Sequence, residues 1–101
     1  MNHPKRSAIS LQQAVDGAPT LARLSALAAE SAARLRSVQP LLAPALRDAL
    51  RPGAIDGDEW CVLVPHNAAA AKLRQMVPAL LTHLRAEGRA ISAIRIRVQR
   101  P

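Results

Sequence analysis

The sequence predicts an α+β fold: a small three-stranded sheet with helices packed on one face, in the order α-β-β-α-β. Three stretches carry that reading. Glu59-Trp60-Cys61-Val62-Leu63-Val64 is a short apolar run bracketed by Asp56-Gly57-Asp58 and by Pro65, so length and punctuation favour a buried strand over a helix. His66-Asn67 opens a helical pattern that runs to Gly88, with Asn67 placed to cap, strong helix formers from Ala68 to Ala71, and Gly88 as the stop. The last stretch alternates, Ile94, Ile96 and Val98 against Arg95, Arg97 and Gln99, as a strand between core and solvent requires.

The remaining elements follow in order. Residues 1–19 read as a flexible arm: Ser10 to Val15 offers a helical turn or two, and Asp16-Gly17-Ala18-Pro19 breaks it. Thr20 is the expected N-cap of the first true helix, and residues 20–101 form the single folded domain. Along that helix Leu21, Leu24, Leu27 or Ala28, Ala32 and Leu35 recur as a core stripe, with Arg23, Glu30, Arg34 and Arg36 on the outer side. Pro40 imposes a break near Val38-Gln39. Pro44 starts a second short helix through Leu50, ended by Pro52-Gly53. Ala54-Ile55 is the candidate first strand, and Asp56-Gly57 is a hairpin signal that pairs residues 51–56 antiparallel with 59–64. In the long helix Leu73, Val77, Leu80 or Leu81, and Leu84 form the buried stripe, while Pro78 predicts a kink or break near Val77.

Composition narrows the function. The chain has 101 residues, 50% hydrophobic and 21% charged, with one Trp and no Phe or Tyr, which describes one small domain with an aliphatic core. A single cysteine excludes an internal disulfide and fits a reducing cytoplasm. Neither a signal-peptide apolar region nor a membrane-length apolar run is present. The formal charge is +7, concentrated late: Lys72, Arg74, Arg85, Arg89, Arg95, Arg97 and Arg100 face Glu87 as the one acid. That concentration points to a polyanion such as nucleic acid. Its competitor is a solvated basic surface, because the excess of Arg over Lys and the abundant Ala also fit a GC-rich coding bias.

Catalysis finds little support. Asp56, Asp58 and Glu59 cluster where a solvated hairpin tip explains them, and His3, His66, His83 and Cys61 lack zinc-ligand spacing. No glycine-rich phosphate loop occurs, so no cofactor is expected. Single-strand binders stack bases on sheet aromatics, but the one Trp is needed inside so small a core, and Trp60 is placed there with Val62 and Val64. Nucleic-acid contact is then phosphate-led, salt-sensitive and weakly sequence-specific.

Pro40 to Arg47, Trp60-Cys61-Val62-Leu63-Val64-Pro65 and Ala70-Ala71-Lys72-Leu73-Arg74-Gln75 together resemble the DciA family of bacterial replicative-helicase loaders. Leu80-Leu81-Thr82-His83-Leu84 and Ile94-Arg95-Ile96-Arg97-Val98 match that family's later segments, so the likeness covers about residues 20–100. The resemblance implies a domain similar to the KH fold that binds DNA and contacts the replicative helicase. The Gly-x-x-Gly loop of KH domains is missing, Gly53 and Gly57 being wrongly spaced, so KH-type clamping of a nucleotide backbone is not carried over. The expectation is a cytoplasmic, non-enzymatic DNA-binding adaptor of bacterial replication with Lys72, Arg74, Arg85, Arg95, Arg97 and Arg100 at the nucleic acid. The alternatives are a protein-interaction module meeting an acidic partner and a small RNA-binding protein.

Overall fold

The computed structural model describes residues 20–100, and the expected arm over 1–19 lies outside the described residues. Helix α1 spans Leu21–Val38, a 3-10 turn covers Gln39–Leu41, and the short helix α2 spans Pro44–Ala49. Strands β1 (Arg51–Asp56) and β2 (Glu59–Val64) form the hairpin, helix α3 (Asn67–Ala86) follows, and β3 (Ala93–Val98) ends the fold. The sheet order is β1-β2-β3, with β1 antiparallel and β3 parallel to β2. The parallel pairing needs a crossover, which the 20 residues of α3 supply.

Period two decides the sheet's two faces. Trp60, Val62 and Val64 are buried on one side of β2, while Glu59, Cys61 and Leu63 lie half-buried on the other. Against the first side pack Leu73, Leu80 and Leu84 of α3 together with Leu35 and Val38 of α1, each burial contributing about 1.5–3 kcal/mol. Ile94, Ile96 and Val98 join the same core from β3, as their alternation predicts. Both helical layers therefore cover one face, and among the described residues no helix covers the other.

Helix ends follow local chemistry. Thr20 caps α1 by accepting the Arg23 N–H at 3.1 Å. The cap of α3 is His66 rather than the expected Asn67: its Nδ1 accepts the Ala69 N–H at 3.1 Å, and Asn67 is already the first helical residue. At the other end Gly88 has φ +87°, and the Gly88 and Arg89 amides return to the Arg85 and Leu84 carbonyls at 2.9 and 3.2 Å. That pairing is a Schellman stop, and it requires the left-handed residue that glycine supplies.

Further expectations are corrected. The core stripe of α1 does not run its full length: Leu21 is 84% exposed and Leu24 is 50% exposed. A helix of 18 residues is about 27 Å long against about 20 Å for a six-residue strand, so its first turns overrun the sheet. Ser31 and Arg34 are buried instead, Arg34 because Glu30, one turn earlier, accepts its Nε–H at 2.8 Å and neutralises it. As expected, α2 ends just ahead of Pro52-Gly53, which lies inside β1, where an edge position and a bulge between Pro52 and Ile55 accommodate the missing amide proton. Of the kink or break expected at Pro78, the break does not occur: α3 runs unbroken from Asn67 to Ala86. Its ring stands on the exposed side, as does Arg74, whose carbonyl it frees.

Candidate nucleic-acid interface

The open sheet face is ordered in rows by the strand register. At one end Asp56, Glu59 and Ala93 stand side by side across the three strands. In the middle Cys61 is paired with Arg95, opposite the bulge of β1. At the other end Arg51, Leu63 and Arg97 form a row, so two guanidinium stems flank one leucine about 10 Å apart. The face is acidic at the hairpin end and basic at the end where β2 and β3 terminate.

Arg51 is not among the candidates from sequence, and the bulge explains why. Asp56 pairs with Glu59 and Ile55 with Trp60, a register that would carry Arg51 opposite Val64 and into the core. The extra residue at the bulge shifts Arg51 onto Leu63 and turns its side chain to the open face. Gly53 is required there, because a Cβ would come within 2.6 Å of the Cys61 carbonyl oxygen. Proline and glycine adjacent within a strand are the signal that could have marked the bulge.

The structure separates the six expected site residues. Arg97 and Arg100 stand at the basic end and, like Arg51, make no ion pair or side-chain hydrogen bond with another described residue. Arg95 has a carboxylate nearby: its Nη1 lies 3.7 Å from Glu59 Oε1, in an exposed pair worth at most about 1 kcal/mol. Arg85 is tied to the backbone ahead of β3, donating from Nε to the Ile91 carbonyl at 2.9 Å and from Nη2 to the Ser92 carbonyl at 3.2 Å. Lys72 and Arg74 are exposed on α3, in the helical layer on the opposite side of the sheet. The six residues do not converge into one patch.

Other polar side chains join α1 to the end of α3. Glu30 accepts from Arg34 and from Arg89, and Arg89 also donates to Glu87 at 3.0 Å. Hydrogen bonds from Arg34 and then Arg89 hold the Glu30 carboxyl below its usual 4.5, and those from Ser37 and Arg89 lower Glu87. Ser37 Oγ lies 2.9 Å from His83 Nε2 and donates to Glu87 Oε2 at 2.6 Å. The carboxylate meets the same imidazole nitrogen as the hydroxyl, at 3.4 Å, so among the described residues no carboxylate orients the ring from Nδ1 as a nucleophilic triad demands. This cluster is a clasp between helices. Among the described residues, no three His, Cys, Asp or Glu side chains gather where they could hold a metal ion, and no helix is long and apolar enough to cross a membrane.

One family model matches the chain, described as Dna[CI] antecedent, DciA, over residues 10–98. The match begins ahead of α1 and takes in every element of the sheet. No curated protein matches the chain.

Proposed function

This chain belongs to the DciA family, which is linked to loading of the replicative helicase in DNA replication, and we propose that it is a non-enzymatic adaptor that binds DNA while engaging that helicase. The observation that carries the DNA half of the proposal is the row Arg51, Leu63, Arg97 on an open sheet face. Two cations without a carboxylate partner among the described residues stand either side of an apolar residue, and Arg100 follows one strand end later. Such an arrangement suits phosphates better than it suits folding, since like charges held in one row repel mildly with no gain in stability.

In this reading Arg51, Arg97 and Arg100 hold phosphates, and Arg95 contributes as a flanking charge shared with Glu59. Arg85 orders the loop that aims β3. Lys72 and Arg74 form a secondary contact on the helical layer, met only by a strand that turns the sheet edge. The acidic hairpin repels the backbone, so nucleic acid lies across the far end of the strands.

The test is anisotropy titration of a labelled oligonucleotide over 50–200 mM salt with the Arg51→Gln, Arg97→Gln double variant. Loss of two phosphate contacts lowers the log–log salt slope by about 1.4–1.8 and weakens binding to all sequences alike. A helicase pull-down, with and without nuclease, is run alongside. If the double variant binds DNA as the parent does but no longer retains the helicase, the row belongs to an acidic protein partner and that reading replaces this one.

A further inference from the structure

Two open clefts at the sheet differ in character. One, about 370 Å³, lies on the open face, where Asp56 and Glu59 stand against Arg95 and Arg97. The other, about 580 Å³, lies at the end of the sheet, between Arg51 of β1 and Arg100 beyond β3. Its floor is Pro52, Leu63, Val64 and Pro65, and none of the described residues lining it is acidic. Its volume falls in the range of small-molecule pockets, about 300–1,000 Å³.

We propose that this second cleft is a nucleotide subsite, taking one phosphate between Arg51 and Arg100 and the attached base against Leu63 and Pro65. The proposal rests on the DNA-binding reading above and adds to it where, and by which part, a nucleotide is held. A guanidinium offers both charge for a phosphate and a plane for a base, so a base can be held here without an aromatic side chain. Gln99 also lines the cleft, and its amide supplies the side-chain donor and acceptor there that a base edge can meet. The neighbouring cleft cannot substitute, because its two carboxylates repel an anion at the point where Arg95 attracts it.

A paired base is stacked inside its duplex and cannot enter, whereas an unpaired base can leave the strand for the cleft. The subsite therefore makes binding depend on bases as well as phosphates, with no aromatic platform involved.

The experiment uses the full chain and three probes: a base-bearing single strand, an abasic strand of equal phosphate number, and dAMP with inorganic phosphate as its control. The base-bearing strand binds on the order of tenfold more tightly than the abasic one, the effect of stacking one base. Leu63→Gln, whose side chain lies outside the core, removes most of that difference with the fold intact by circular dichroism. Arg100→Gln, which breaks no hydrogen bond between described residues, weakens both strands and abolishes the dAMP response. In NMR spectra dAMP moves the amides of Arg51, Leu63, Val64, Gln99 and Arg100 more than phosphate alone does. Equal affinity for the two strands with no dAMP response would falsify the subsite and leave the DNA reading standing. A dAMP response with neither strand bound makes the cleft a site for a free nucleotide and overturns the DNA reading. Silence from all three probes overturns both.

Discussion

Trp60 donates its indole N–H to Ser31 Oγ at 2.8 Å, joining the centre of the sheet to α1 inside the core. Ser31 passes the bond on, donating its hydroxyl to the Gly53 carbonyl at 2.6 Å. The chain of two bonds ends on the bulge that turns Arg51 outward. A side chain buried on the helical face thereby helps to decide which charge appears on the open one.

Ser31→Ala leaves the Trp60 N–H and the Gly53 carbonyl without that partner, and one buried unsatisfied group costs about 1–3 kcal/mol. Urea denaturation measures the loss. Trp60→Ala costs about 3–5 kcal/mol, enough to unfold a domain of this size. Native Trp60 emission is blue-shifted and unmoved by added DNA, because its ring is on the covered face. A red, quenchable native emission contradicts this.

Gly53→Ala drives a methyl against the Cys61 carbonyl oxygen of the neighbouring strand, and the backbone must shift to relieve a 2.6 Å approach. The expected loss of stability is about 1–3 kcal/mol. DNA affinity should fall by at least as much as in Arg51→Gln, measured at a temperature where both variants are folded. An affinity equal to the parent's would show that the bulge does not set Arg51.

Pro78→Ala restores an amide proton within a continuous helix, on its exposed side. The substitution leaves the core packing as it is, so the variant gains about 1–3 kcal/mol in chemical denaturation. A clear loss of stability would mean that the ring is needed where it stands.

Low pH should loosen the clasp between α1 and the end of α3. Glu30 has its folded value lowered by Arg34 and then Arg89, so its contribution is complete above the usual carboxylate value of 4.5. It is lost as pH falls through the lowered folded value. The melting temperatures of the parent and of Glu30→Gln should differ at neutral pH and converge below that range. A difference that persists in acid assigns the effect to packing rather than to ionisation.

Much of the fold is legible because each element carries its own period. The alternation of β2 and β3, the Thr20 cap, the Gly88 stop and the burial of Trp60 are local or binary choices, and the structure shows each. Less of the candidate site is legible. Helical spacing returns Arg85 to nearly the face of Arg74 and splays Lys72 to the other side, but spacing alone does not say which cations find carbonyls or carboxylates. Arg85 meets the Ile91 and Ser92 carbonyls across a chain reversal, and Arg95 meets Glu59 from another strand.

The sequence by itself determined the helices and strands, their order, and the greasy side of β2 and β3, because those follow from hydrophobic period and from turn chemistry within a few residues. Only the tertiary structure decided how far α1 reaches past the sheet, and which arginines are spent on the fold. It also decided that Arg51 shares a row with Arg97. That last relation depends on one extra residue in β1, and a one-residue slip reverses the face of every side chain beyond it.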